Sequence, residues 1–226
     1  MRMRKVFLLF VTAVLFCSAA YRTQFKDEYE DALNFVRQNN RTIQDEAVRF
    51  AVSDTILKVI VFPELTRYSM FRDFFETGGN EFLYVNDGRT MCDFSIGPCQ
   101  MKPSFAEDVE KIIAASADSA KFKLLTKYIA TGGKEIRRER VERLKSLKWQ
   151  CRYVCAFVAI EKNKLPMGLD DEAQLKFYTS AYNLGLNSST ETIIKWEGIK
   201  AFPYGKKYSQ FSYTDVAMEY YHCLKQ

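Results

Sequence analysis

Three short segments carry the residue types that could do chemistry. In Val61-Phe62-Pro63-Glu64-Leu65-Thr66-Arg67-Tyr68-Ser69 a single carboxyl follows a long apolar run. Apolar walls such as Phe62 would disfavour the charged form of Glu64 and raise its pKa from ~4.3 towards ~6. A carboxyl in that state has a proton to give away near neutral pH. In Ser95-Ile96-Gly97-Pro98-Cys99-Gln100-Met101-Lys102-Pro103-Ser104 a Gly-Pro turn presents hydroxyls and the Gln100 amide ahead of a Pro-Ser helix start. In Ala181-Tyr182-Asn183-Leu184-Gly185 a phenol and an amide precede a glycine suited to end a helix.

Histidine sets the firmest exclusion. His222 is the only one, so an HExxH zinc site, a multi-histidine metal centre and a histidine-based triad elsewhere in the chain are all ruled out. No metal or organic cofactor is implied, and the chemistry falls to carboxylates, hydroxyls, amides or thiols. Cys151 and Cys155 are four apart in a helical stretch, at roughly 5–6 Å between Cβ atoms, too far for a mutual disulfide. Cys92 and Cys99 could close a loop, either could reach Cys151 or Cys155, or all could be buried thiols. With Cys223 they make an odd set of five beyond residue 20, and as Cys/His chemistry His222 beside Cys223 is a poor start.

Together and in this order the three segments resemble the motifs of the soluble lytic transglycosylase family, which has a lysozyme-like fold. In that family a helix ends at the catalytic Glu, a G-L-M-Q-x-x-P-[ST] turn leads into the next helix, and A-Y-N-x-G lies near the end of the domain. Gly97, Gln100, Pro103 and Ser104 fall on the second motif, and Tyr182, Asn183 and Gly185 on the third. The resemblance covers roughly residues 45–221. It implies that Glu64 is acid and then base, cleaving the MurNAc–GlcNAc bond of peptidoglycan as the sugar's C6 hydroxyl attacks and leaves a 1,6-anhydro end. Ser95, Gln100, Tyr182 and Asn183 would bind or orient the glycan, with Tyr220 or Tyr221 as the family's late tyrosine. Departures are plain. Glu64 and Gln100 are 36 residues apart, so residues 70–94 read as an insert, and Pro98 and Cys99 stand where the family has Leu and Met. A hydrolytic muramidase is the rival enzyme; it needs a second carboxylate about 5–9.5 Å away, with Asp93, Glu76 and Glu81 as candidates. A non-catalytic peptidoglycan-binding or scaffold protein is the rival of another class.

The elements that must position these residues read as mainly α. Helical spacing of apolar residues predicts helices over 27–41 and 43–62, with Pro63 stopping or kinking the second so that Glu64 falls at its end. Ser104 and Glu107 form an S-x-x-E capping box. Further helices are predicted at about 118–130, 135–162, 169–183 and 190–196, and a last one from about Thr214. Turn signals at Gly78-Gly79-Asn80, Asn86-Asp87-Gly88 and Gly97-Pro98 enclose a small hairpin, with residues 81–85 and 90–94 as its arms. Some of Tyr68, Phe82 and Tyr84 could offer flat faces to a sugar, and the insert would line the groove rather than the core.

The N-terminus reads as an address. Arg2, Arg4 and Lys5 precede an apolar run from Val6 to Phe16 and then Cys17-Ser18-Ala19-Ala20, the order of a secretory signal peptide cut after Ala20. A lipoprotein cut at Cys17 is disfavoured by the bulky Phe16, and the run is short of the ~20 residues of a membrane span. Residues 21–226 then form a single domain, periplasmic or secreted, with no stable span after cleavage. Loss of three positive charges lowers the net charge from +5 to +2. The charged run Lys134 to Arg143 mixes signs at helical spacing, a solvated helix face rather than a nucleic-acid track. Peptidoglycan glycan strands are the expected partner, and any cell-wall machinery partner is unspecified.

Overall fold

The apolar run before Glu64 folds as a helix buried on nearly every side. Leu57, Val59, Ile60, Val61, Phe62 and Leu65 are all buried, so this helix has no polar stripe and must lie inside the molecule. The computed structural model describes residues 20–71 and 78–226. The expected leader over 1–20 therefore lies outside the described residues except for Ala20, and so does Glu76. In chain order the described elements are α1 (Ala20–Gln24), α2 (Lys26–Gln38), α3 (Asn40–Arg49), α4 (Asp54–Phe71), α5 (Gly78–Asp87), α6 (Pro103–Ala114), α7 (Lys123–Thr126), α8 (Gly133–Lys145), α9 (Leu147–Glu161), α10 (Asp171–Leu184), α11 (Thr190–Trp196) and α12 (Tyr213–Leu224). The protein is mainly α; among the described residues only two isolated β-bridges, Ile96 with Met101 and Phe202 with Phe211, interrupt the helical pattern. None of the described helices is long and apolar enough to cross a membrane.

Helix α4 is the hub. It packs against α2, α3, α9, α10 and α12, while α9 joins it to α3, α6 and α8. Aromatic pairs seal the joints: Phe62 lies flat on Tyr220 of α12 at 3.9 Å and meets Tyr29 of α2 edge-on at 4.9 Å.

Several boundaries differ from those the sequence predicts. The helix expected over 43–62 is two helices. Ala51 adopts φ +48°, a left-handed conformation that breaks the run and lets the buried Phe50 stack on Phe122 at 4.8 Å. Pro63 does not end α4, which runs on to Phe71, so Glu64 sits within a helix and not at its end. Packing on all sides outweighs the lost backbone hydrogen bond; near the proline, Tyr213 donates its hydroxyl to Ile60 O at 2.8 Å and Thr66 donates to Pro63 O at 2.8 Å. The helix expected over 135–162 divides at Ser146, whose ψ of 121° is extended.

The expected hairpin is absent. Residues 81–85 belong to helix α5, which packs on α8. Tyr84 is fully buried and tied into a polar cluster: it donates to Glu107 at 2.7 Å and receives Arg140 at 2.8 Å, while Arg140 also binds Glu110 at 2.7 Å. Tyr153 donates to Glu110 at 2.6 Å, and Tyr128 donates to the same carboxylate. Arg137 reaches Val85 O and Asn86 O at 2.9 and 2.7 Å, binding the last carbonyls of α5. Helix α5 of the insert is therefore anchored in the core through Tyr84 and Val85, while Asp93 near the insert's end lines a cavity with Glu64. All five cysteines from Cys92 to Cys223 are free thiols.

Replacing Tyr84 with Ala should cost about 3–5 kcal/mol, the range for large buried aromatics, and leave Arg140 without one of its partners. Urea unfolding followed by far-UV circular dichroism measures it; a loss under 1 kcal/mol would place α5 outside the core.

Candidate active site

Residues from four places in the chain line one open cavity of about 360 Å³: Glu64 and Arg67 of α4; Asp93 and Ser95 with Gln100 to Lys102; Phe105 and Asp108 of α6; and Tyr182 to Asn187 at the end of α10. Glu64, Ser95, Gln100, Tyr182 and Asn183 are all brought together here. Tyr220 is not.

Glu64 is 6% exposed and its Oε2 has no hydrogen-bond partner among the described residues. Burial pushes its pKa from 4.5 up to about 7, against a smaller downward pull from Arg67, whose Nη1 stands 3.7 Å from Oε2. That spacing exceeds a hydrogen bond. The guanidinium acts as a nearby charge that makes the ionised state accessible without fixing it. A carboxyl poised at neutral pH can serve as acid and as base in one cycle.

The second segment folds as a tight turn clamped from behind. Ile96 and Met101 exchange backbone hydrogen bonds at 2.9 and 3.1 Å. Gln150 of α9, fully buried, donates to Ile96 O at 2.6 Å and accepts from the Cys99 amide at 3.0 Å. Gly97 is required at φ +66°, because a Cβ there would stand 2.7 Å from the Gln150 Nε2 and 2.9 Å from Leu144 O. The turn holds Gln100 at φ +49°, an uncommon backbone state for a non-glycine residue that often marks a functional position.

The amide orientations follow from their partners. Gln100 donates Nε2 to Gly97 O at 3.0 Å, which leaves Oε1, buried and without a partner among the described residues, as an acceptor. Asn183 accepts the Trp196 indole N–H on Oδ1 at 2.8 Å, which leaves its Nδ2 to donate. Tyr182 donates to Cys99 O at 3.0 Å, so it fastens the third segment to the second. Burial lifts its pKa well above the phenol range, with Cys99 and Glu64 adding to the shift. Tyr182 also meets Phe105 and Phe157 edge-on at 5.6 and 5.4 Å.

Some expectations need correction. Tyr220 is buried against Phe62, and Tyr221 lines a separate cavity with Ser53 and Leu175. The tyrosine of α12 on which the Glu64 charge acts is Tyr213, whose hydroxyl donates to Ile60 O; burial and then that charge hold its pKa well above normal. Phe62 faces Tyr29 and Tyr220 and is not among the residues that line the cavity. Ser104 makes no capping box with Glu107. It is the second residue of α6, and its amide and hydroxyl bond to Asp93 Oδ1 and Oδ2 at 3.1 and 2.8 Å. Glu81 pairs with Lys145 at 2.9 Å beside a different depression. Sequence reasoning missed Arg67, Phe105, Gln150 and Tyr213 as parts of this site; only Arg67, one helical turn after Glu64, carried a spacing signal.

Comparison with known proteins finds no family model, no curated protein and no solved structure that matches the chain. The functional reading rests on the residues themselves.

Because the folded protein binds the Glu64 proton more tightly than the unfolded chain, this group's contribution to stability is full below about 4.5 and lost as pH rises through about 7. Glu64→Gln should therefore gain on the wild type across that window, by on the order of 3 kcal/mol above it. Denaturant unfolding of both proteins at a series of pH values checks this; parallel curves would contradict it.

Proposed function

We propose that the protein is a lytic transglycosylase of the lysozyme-like kind, exported to act on peptidoglycan, with Glu64 as its acid and base. The observation that carries the reading is the state of Glu64: a carboxyl buried in a solvent-reached cavity, one oxygen unpartnered, its pKa raised to about 7. Glu64 protonates the glycosidic oxygen as the bond from that oxygen to C1 breaks. The C6 hydroxyl of the same sugar attacks C1 and gives its proton to the Glu64 carboxylate, which restores the acid. No water is consumed, and the product ends in a 1,6-anhydro ring.

Two features support this choice over hydrolysis. A hydrolase of this kind needs a second free carboxylate. The other cavity carboxylates are already committed: Asp93 holds both polar groups of Ser104, and Asp108 pairs with Arg89 at 2.6 Å. The fixed amides support an N-acetylated sugar. An acetamido group offers an N–H to Gln100 Oε1 and a carbonyl oxygen to Asn183 Nδ2, the complement of what those side chains leave open. Phe105 supplies a flat apolar face in the same cavity.

Incubation of purified peptidoglycan with the protein, followed by mass spectrometry of the released fragments, tests the reading. Anhydro-MurNAc ends are expected from the wild type, with at least a hundredfold loss in Glu64→Gln, in line with removal of a general acid. Reducing ends carrying an added water would make it a muramidase, and no release by the wild type would make it a binding protein.

A further inference from the structure

Tyr21 is seated more deeply than a residue at the edge of a leader needs to be. It is 1% exposed, its hydroxyl lies 2.9 Å from Thr66 Oγ1, and its ring meets Phe211 edge-on at 5.1 Å and Phe25 at 4.8 Å. The backbone amide of Arg22 donates to Oε1 of Glu219 in α12 at 3.3 Å, and the Tyr21 amide one residue before it acts on the same carboxylate.

Glu219 is itself buried, 9% exposed, and among the described residues no Lys, Arg or His nitrogen lies within salt-bridge distance of it. The charged groups that act on it are Arg22 and Asp215. Arg22 spends its guanidinium on Glu30 at 2.6 Å; Asp215 is taken by Lys200 and by the Ser212 amide. Burial raises the Glu219 pKa to about 7. A buried carboxyl with an amide donor and no cation within salt-bridge distance among the described residues must either take up a proton or gain a counter-charge.

The sequence places a leader cut between Ala20 and Tyr21. That hydrolysis adds water across the peptide bond, leaving a carboxylate on Ala20 and an amine on Tyr21 that takes up a proton. The new ammonium nitrogen stands one residue before the Arg22 amide that donates to Glu219, and as an amide it already acts on that carboxylate.

We propose that Glu219 is the receptor for the processed N-terminus: removal of the leader after Ala20 creates the Tyr21 α-ammonium, which closes an ion pair with Glu219 and locks the start of the chain onto α12. Through Thr66, two residues beyond Glu64, the same lock bears on the helix that carries the proposed acid. The inference rests on the leader and not on the glycan chemistry, so the two stand or fall separately.

The full chain, expressed in an exporting bacterial host, should yield a processed protein whose first residue is Tyr21 by N-terminal sequencing; another first residue overturns the proposal. The buried core from Tyr21 to Tyr221 is contained in that processed chain, which is then compared with one carrying Gly-Ser-Gly ahead of Tyr21, each with and without Glu219→Gln. At pH 7 the extension should raise the unfolding equilibrium constant about tenfold, as expected when a buried carboxylate loses its counter-charge. In the Glu219→Gln background the difference should fall below about twofold. No difference in the first pair, or the same difference in both, overturns it. Should Glu219→Gln fail to fold, the Tyr21 amine can be titrated by its reaction with an acylating reagent. A pKa above the ordinary ~7.7–8.0 supports the pair, and an ordinary value overturns it.

Discussion

A carboxyl stripped of most of its hydration keeps its proton to higher pH, and here the burial of α4 does the stripping. Side chains packed around this helix leave it no freedom to rotate or slide, so the position of Glu64 is set by Leu57, Ile60, Phe62 and their partners rather than by any bond to its own carboxyl. The cost is a buried ionisable group with an unpartnered oxygen. A fold accepts such a cost where the group has work to do, and Glu64 opens onto a cavity lined with hydrogen-bonding side chains.

Much of the rest of the site is held by side-chain hydrogen bonds. Gln150 spends both ends of its amide on the 96–101 turn, Tyr182 spends its hydroxyl on the same turn, and Trp196 fixes Asn183. Glu64 Oε2 and Gln100 Oε1, without partners among the described residues, and the Asn183 amino group belong to the same cavity lining. Buried ionic clusters support this from further out. Arg140 with Glu110 and Tyr84 fastens α5, α6 and α8; Arg152 with Glu46 at 2.8 Å fastens α3 to α9. Removing Arg140 or Arg152 takes the nearest counter-charge from a buried glutamate.

Much of this was legible in the chain because it is local. The spacing of apolar residues marks α2, α10 and α11 closely, and three short segments name five residues that do meet in one cavity. What was not legible depends on distant partners. Residues 81–85 alternate like a strand, yet Tyr84 finds Glu107 and Arg140 only when α6 and α8 are in place, and those bonds favour a helix. Asp93 caps α6 from eleven residues upstream, so Ser104 is not needed for the task its sequence position suggests. Tyr213 and Tyr220 are seven apart on one helix, nearly the same face two turns along. Periodicity cannot tell which of them lies beside Glu64; packing on Phe62 decides it. At Pro63 local propensity argued for a stop and the surrounding core overrode it.

The account stands on Glu64 holding its proton near neutrality, and carbon-13 NMR of the protein labelled at glutamate side-chain carboxyls reads that directly. With the resonance assigned by its absence in Glu64→Gln, the account predicts a titration midpoint at about 7. A midpoint near 4.5, the value of an ordinary glutamate, would show a carboxylate already ionised and unable to act as the acid.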